Sequence, residues 1–186
     1  NVWGSIDTTN ASVAQFSIEK VLNIVNDVSV GNMYEKMMPA VAALGVPFVC
    51  THMQGTPLTM QKNPQYEDVT KEVNQFFIDK IKSCKAMGID QIILDPGFGF
   101  GKTINHNFQL LKQMEVFQLF HVPVLAGLSR KSTIWKTLQI TPEEALNGTT
   151  VLNTIALTKG ATILRVHDVK EASEVIKLFN RYKKTP

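Results

Sequence analysis

The sequence predicts an α/β fold with a parallel sheet, and we favour a (βα)8 barrel of which only about six βα units are present. Short apolar strands alternate with longer amphipathic helices along the 186 residues, which is typical of a parallel sheet covered by helices. A complete barrel needs about 250 residues. The chain starts with Asn1 rather than methionine and enters a predicted strand almost at once, which favours an incomplete barrel. An open doubly wound sheet is the alternative architecture.

Each βα unit is predicted from the period of its apolar residues. The strands are predicted at residues 4–7, 23–28, 47–51, 91–94, 123–126 and 162–166. The clearest helix is predicted at residues 67–87, where apolar side chains recur every three or four positions before Gly88 ends the helix. This apolar stripe consists of Val69, Val73, Phe76, Phe77, Ile81 and Cys84. A last helix is predicted at residues 171–182.

Composition narrows the class of protein. With 44% hydrophobic and 19% charged residues, we expect one domain over residues 1–186, incomplete at its amino end. The apolar runs are far shorter than the roughly 20 residues that cross a bilayer, so no membrane association is expected. A net charge of +3 without basic runs argues against nucleic-acid binding. Two cysteines, Cys50 and Cys84, fit a cytoplasmic protein in which both thiols are buried and reduced.

The most informative segment is the sequence DPGFGFGK, in which a buried strand ends at Asp95 and three alternate glycines follow. Glycines there let the backbone approach a ligand closely. The segment does not fit the phosphate-loop pattern G-x-x-x-x-G-K-[ST], because Pro96 stands where its first glycine is required. It also fails the dinucleotide pattern G-x-G-x-x-G by one residue, so nucleotide binding is only a minor alternative.

Polar residues follow all six predicted strands, and parallel strands deliver their carboxyl ends to one edge of the sheet. Taken one at a time, each of these residues can have a purely structural role. Asp7, Asn26 and Asp27 can be helix caps or turn residues, and His52 can be a core histidine. Together they predict one site. Asp7, Asn26 and Asp95 suit a flat heterocycle that presents N–H donors, held against Met53 or Phe100.

A cationic group lies at the other predicted strand ends. Arg165 and His167 are two residues apart, so their side chains point to the same face, and Lys131 joins them. This combination suits a phosphate or diphosphate. Arginine at positions 130 and 165, just beyond apolar runs, suggests bidentate contacts with anions. A site that binds a neutral ring and an anion suggests displacement of a phosphorylated leaving group.

The motifs SIDT, ND, THMQGTP, DPGFGFGK, GLSRKS and RVHDV occur in the order and at the separations found in the dihydropteroate synthase family, which the chain resembles from residue 1 to about residue 179. The resemblance implies a (βα)8 barrel, commonly a homodimer, acting in folate biosynthesis with Mg²⁺. Such an enzyme joins p-aminobenzoate to 6-hydroxymethyl-7,8-dihydropterin diphosphate, forming 7,8-dihydropteroate and releasing diphosphate. It is the target of sulfonamide drugs.

The resemblance also implies roles for individual residues. The pterin-binding set is Asp7, Asn26, Met53, Asp95, Phe100, Gly127 and Lys131. Arg165 and His167 correspond to the diphosphate-binding pair and, with Lys131, to the catalytic residues, while Ser132 lies where p-aminobenzoate approaches. The implied mechanism has diphosphate depart first, leaving a cationic pterin methylene that the arylamine attacks. The metal ligands are not assigned.

Two earlier βα units of the family, which supply an asparagine near the metal and mobile loops, are missing from this sequence, and Val30 replaces a usual glycine. We therefore expect pterin binding with poor turnover. A pterin-dependent methyltransferase is a second interpretation, against which Lys131 and Ser132 argue. A non-catalytic pterin-binding fragment is a third.

Overall fold

The computed structural model describes residues 2–29, 35–56 and 58–186, so Val30 lies outside the described residues. Six parallel strands appear where the sequence predicts them, most of them shorter than predicted at their ends. They are β1 (Ser5–Asp7), β2 (Ile24–Asp27), β3 (Phe48–Thr51), β4 (Ile92–Asp95), β5 (Leu125–Ala126) and β6 (Ile163–Leu164). β4 runs one residue further than predicted and includes Asp95.

The order of the strands decides between the two predicted architectures. β1 to β4 form a sheet in chain order, and β5 pairs with β6. A parallel bridge between Leu94 and Val124, with the Leu94 amide donating to the Pro123 carbonyl at 2.9 Å, joins the two sheets. Consecutive strands are therefore neighbours throughout, without the reversal of order that defines a doubly wound sheet. The described chain is a (βα)8 barrel with six βα units.

Helices follow every strand. They are α1 (Ala11–Lys20), α2 (Met37–Leu44), α3 (Val69–Ala86), α4 (Ile104–Lys112), α5 (Ser132–Leu138), α6 (Leu146–Thr158) and α7 (Val169–Lys184), and a 3-10 helix spans Met114–Phe120. Side chains of Asn10, Asp68 and Thr103 cap the starts of α1, α3 and α4 by accepting backbone N–H bonds. The predicted helices at 67–87 and 171–182 correspond to α3 and α7.

Alternate residues of each strand pack on opposite faces of the barrel wall. Phe48, Cys50 and Leu94 face the helices and belong to the main core with the apolar stripe of α3. Val49, Ile93 and Leu125 form a second, smaller cluster with the partly buried Ile24 and Ile163. This second cluster is the apolar filling of the barrel interior below its carboxyl-end rim.

Both cysteines are buried, as the sequence predicts. Cys50 on β3 and Cys84 on α3 are buried free thiols whose Sγ atoms lie 3.8 Å apart. The hydrogen bond with Cys84 and burial raise the pKa of Cys50 well above its ordinary value. Among the helices of residues 2–29, 35–56 and 58–186, none is long and apolar enough to cross a membrane.

The aromatic centre of the helical layer gives a stability prediction. Phe77 on α3 is fully buried, and its ring contacts those of Phe117 at 5.3 Å and Phe120 at 6.2 Å between centroids. Phe77→Ala should lower the free energy of unfolding by about 3–5 kcal/mol, because it leaves a cavity in a close-packed core. The matched control is Ile78→Ala. The Ile78 side chain is 44% exposed, so the free energy of unfolding should fall by less than about 1 kcal/mol. Urea titration followed by circular dichroism measures both, and equal losses would contradict this packing.

Candidate active site

The alternation of side chains places the predicted site residues on the interior face of the barrel. Asn26 shares its face with Ile24, Asp95 with Ile93, and Arg165 with Ile163, and all three isoleucines line the interior cluster. Asp7 and Gly127 directly follow Ile6 and Ala126, which face the helices, so Asp7 and Gly127 lie on the opposite, interior face. Asp27 instead faces the helices, where its Oδ1 accepts bonds from the amide and hydroxyl of Ser29. The rim is therefore polar on the interior side at each of these strands.

Two buried polar groups mark the ring-binding end. Asn26 is 9% exposed, and its Oδ1 has no hydrogen-bond partner among the described residues. Asp95 is 7% exposed and accepts a 2.8 Å bond from the Gly97 amide. Burial raises the pKa of Asp95, while the nearby Lys131 ammonium opposes the shift. Unsatisfied buried acceptors are costly unless a ligand supplies donors, so this end suits a ring that presents N–H groups.

The glycine segment packs tightly against the end of β3. Gly97, Gly99 and Gly101 have φ of 68°, 82° and 62°, a region that other residues rarely adopt. A Cβ on Gly97 would lie 1.9 Å from the His52 carbonyl oxygen, and one on Gly101 would lie 2.4 Å from the Gln54 carbonyl oxygen. Both the backbone conformation and the space require glycine. The sequence predicts that these glycines let the backbone approach a ligand; in the structure Gly97 and Gly101 allow close approach to the backbone after β3.

Lys131 lies beside this segment. Its Nζ donates to the Phe98 carbonyl at 2.5 Å and stands 4.8 Å from the centre of the Phe100 ring. Burial lowers the pKa of Lys131, and the Asp95 carboxylate partly restores it. A Cβ on Gly127 would lie 3.7 Å from this Nζ, an ordinary contact distance, so Gly127 lies directly beside the ammonium. Lys131 thus connects the ring-binding end with the cationic end.

Arg165 and Asp7 meet across the first and last strands of the chain. The Arg165 guanidinium donates to the Asp7 carboxylate at 2.9 Å, and both side chains are about half exposed. Asp7 therefore lies at the cationic end, whereas the sequence grouped it with the ring-binding acceptors. An exposed ion pair of this kind contributes little to stability, so a ligand can replace it at small cost.

His167 is oriented by a residue that the sequence analysis missed. The buried Ser129 hydroxyl oxygen accepts the backbone amide of His167 at 3.1 Å and lies 3.0 Å from its Nδ1. These two contacts orient the imidazole and engage Nδ1 whichever of the two atoms donates, so Nε2 is the ring nitrogen that does not contact Ser129. The only sequence signal is that Ser129 follows an apolar strand inside GLSRKS.

Arg130 makes the bidentate contact with an anion that the sequence suggested, but this anion is the carboxylate of Asp168 in the same chain. Arg130 Nε and Nη2 donate to the two oxygens of Asp168 at 2.9 and 2.7 Å, and Nη1 donates to the carbonyls of Pro142 and Glu143. This side chain ties the loop after β5 to the loop after β6. Arg130 is structural, and the interior position belongs to Lys131.

Four further side chains lie at or near the rim. Met53 is half-buried and lines a cavity of about 150 Å³ with Thr51 and Phe76. The buried Thr51 hydroxyl faces the interior and has no partner among the described residues, a polar site that the sequence analysis missed. Ser132 is half-buried at the first position of α5, directly after Lys131. His52 is buried, as its interpretation as a core histidine predicted.

Comparisons with known proteins agree with this geometry. The profile of the family described as pterin binding enzyme matches residues 1–167. Dihydropteroate synthase of Escherichia coli is 43% identical over 180 residues, covering 95% of this chain and 63% of that protein. The enzyme of Haemophilus influenzae is 39% identical, with 95% and 65% covered. The chain thus spans just under two thirds of the length of these relatives.

Solved structures give the same result. The Yersinia pestis dihydropteroate synthase in complex with a sulfonamide drug has a TM-score of 0.96 at 37% identity, covering 100% of this chain and 68% of that one. The Stenotrophomonas maltophilia enzyme with imidazole in its active site has a TM-score of 0.95 at 38% identity, with 100% and 71% covered. Because the family profile matches most of the chain and the fold superimposes throughout, the chain belongs to the pterin-binding enzyme family.

Proposed function

We propose that this chain carries the pterin and diphosphate sites of a dihydropteroate synthase. The observation that carries the proposal is the interior rim of the barrel, which has acceptors at one end and cations at the other. The reaction joins p-aminobenzoate to 6-hydroxymethyl-7,8-dihydropterin diphosphate. Relatives and solved structures with this name support it.

The pterin ring would bind at the buried end. Asn26 Oδ1 and the Asp95 carboxylate are acceptors for ring N–H groups, and the Lys131 ammonium is a donor for ring acceptors. Phe100 and Met53 would supply apolar contact with the ring faces, and Gly127 leaves space for the ring. Burial of these groups excludes water and strengthens each polar contact.

The diphosphate would bind at the cationic end. Arg165 is half exposed and pairs only weakly with Asp7, so its guanidinium is available for a bidentate contact with phosphate oxygens. His167 would present Nε2 to the phosphate oxygens, because Ser129 occupies Nδ1. These two donors, with Lys131 between them and the ring, would stabilise the negative charge that grows on the leaving group.

The chemical step balances without a redox change. The bond between the pterin methylene carbon and the diphosphate oxygen breaks, and diphosphate leaves with the electron pair. The arylamine nitrogen forms a bond to that carbon and then loses one proton. Ser132, at the start of α5 beside Lys131, would contact p-aminobenzoate as it approaches.

A resident Mg²⁺ does not fit the described residues. Among them, no group of three or more His, Cys, Asp or Glu side chains is arranged to hold a metal ion. The rim instead concentrates cations, and Mg²⁺ commonly enters such sites bound to substrate phosphates. We propose that Mg²⁺ accompanies the diphosphate, and we assign it no step.

We also propose a cytoplasmic homodimer. Two free, buried thiols fit a reducing compartment. The adjacent helices α6 and α7 present exposed apolar side chains that a second subunit would cover: Val151, Ile155, Ile176 and Leu178. Sedimentation equilibrium of the chain measures the subunit number directly.

Ordered binding tests the proposed function against a non-catalytic fragment. Isothermal titration should show pterin diphosphate binding first, and p-aminobenzoate binding only to that complex, because the second substrate approaches a site that the first completes. The control is p-aminobenzoate added to the free chain, which should give no heat of binding. A chain that binds pterin diphosphate but never p-aminobenzoate is a pterin-binding fragment and refutes the synthase proposal.

Two substitutions separate the two ends of the site. Arg165→Ala should weaken pterin diphosphate binding about 10- to 100-fold but free pterin binding less than about 3-fold, since a charge-assisted bond is worth about 1.5–3 kcal/mol. Asp95→Asn should weaken both ligands by about 10-fold or more. Arg181→Ala, at an exposed position of α7, is the matched control and should change neither. Titration calorimetry gives all the dissociation constants, and equal losses of the two ligands in Arg165→Ala would contradict the assignment.

A further inference from the structure

Lys102 is a buried charged residue to which the sequence analysis assigned no role. It is 4% exposed, yet its ammonium meets three acceptors at short distance. The three nearest acceptors lie 2.9 Å from Nζ (His52 Nδ1), 3.0 Å (the Gly97 carbonyl oxygen) and 3.1 Å (the Phe100 carbonyl oxygen), and the His52 carbonyl oxygen is a longer fourth contact at 3.4 Å. An ammonium taken out of water is costly unless each of its hydrogens is bonded. Here the three N–H groups match three acceptors.

The protonation states of this pair follow from burial. Burial and the nearby Lys102 charge lower the pKa of His52 to about 3, so the imidazole is neutral and its Nδ1 accepts. Burial lowers the pKa of Lys102 to about 7, and the Asp95 carboxylate opposes that shift. The arrangement of acceptors fits the charged form, because a neutral amine offers only two donors.

Every carbonyl from Gly97 to Gly101 is bonded to a side chain. Besides the two bonds from Lys102, Lys131 donates to Phe98, Gln61 Nε2 donates to Gly99 at 2.7 Å, and the Tyr66 hydroxyl donates to Gly101 at 2.8 Å. Among the side chains of the described residues, Lys102 alone bonds two of these carbonyls, and it is also within hydrogen-bond distance of His52, the residue that follows β3. It therefore joins the end of β3 to the glycine segment that follows β4.

We propose that Lys102 is a positioning residue for the pterin site, which fixes the backbone of the glycine segment so that Asp95, Lys131 and Phe100 face the ring. This inference rests on the proposed function. The Gly97 amide that bonds Asp95 and the Gly97 carbonyl that bonds Lys102 belong to the same residue. The Phe98 carbonyl that holds Lys131 lies between the two carbonyls that Lys102 holds. A shift of the segment would therefore displace both polar groups of the ring-binding end.

Removal of the ammonium tests this role. Lys102→Met keeps the length and apolar stem of the side chain but loses all three donors. It should weaken free pterin binding about 10- to 100-fold, measured by titration calorimetry, and change inorganic diphosphate binding less than about 3-fold. The matched control is Lys112→Met, at an exposed position of α4, which should bind both ligands as the wild type does. A folded Lys102→Met variant that binds pterin within about 3-fold of wild type overturns the proposal.

The pH dependence of the wild-type chain provides a second test, which does not require a buried substitution. If only the charged form of Lys102 supports binding, pterin affinity should fall about tenfold from about pH 6 to about pH 8. The other ionisable groups that face this ammonium are His52, Asp95 and Lys131. Lys131→Met should therefore bind more weakly and keep a fall in affinity with rising pH, displaced to higher pH because the Lys131 charge lowers the pKa of Lys102, whereas Lys102→Met should lose this fall. A flat profile in the wild type overturns the proposal even where Lys102→Met fails to fold.

Different results would refute the proposed function and the role of Lys102. A wild-type chain that binds no pterin refutes the proposed function itself. A wild-type chain that binds pterin with a flat pH profile, or a folded Lys102→Met variant that binds equally well, refutes only the role of Lys102.

Discussion

Side chains alternate between the two faces of a strand, and in a parallel barrel this alternation decides which residues meet at the carboxyl-end rim. In this chain the interior positions change from apolar to polar within two residues: Ile24 to Asn26 on β2, Ile93 to Asp95 on β4, and Ile163 to Arg165 on β6. The apolar layer holds the strands in register. The polar layer above it becomes a single site although its members are up to 158 positions apart, the separation of Asp7 and Arg165.

The electrostatics of the rim follow from the depth of each group. Asp95 and Lys102 are almost fully buried, and burial shifts the pKa of each toward its neutral form. Their mutual attraction opposes both shifts, whereas the Lys131 charge opposes the shift of the Asp95 pKa and adds to that of the Lys102 pKa. Arg165 and Asp7 remain half exposed and exchange easily with a ligand. The end of the rim at Asp95 is therefore desolvated, while the end at Arg165 stays open to solvent, an arrangement that suits the proposed positioning of a ring and a charged group.

The strands and the rim were predictable from sequence because each depends on local patterns. Apolar runs gave all six strands, and polarity at strand ends indicated Asn26, Asp95, Lys131 and Arg165. The partners of Arg130, Ser129 and Lys102 were not predictable, because each is set by the meeting of two loops that are distant in sequence. From sequence alone, a lysine such as Lys102 after a glycine segment is expected at the surface, and its three near acceptors are known only from the fold. The unpaired hydroxyl of Thr51 likewise becomes visible only when the interior face is known.

The proposed function requires that interior residues at the ends of several strands contact a common ligand. Chemical-shift perturbation of the labelled chain on titration with free pterin tests this claim most directly. We predict large shifts of the side-chain amide of Asn26 and the backbone amides of Gly97, Gly99 and Gly127, with little change at Asp27, which faces the helices. Shifts confined to a single strand end, or equal shifts at Asn26 and Asp27, would contradict it.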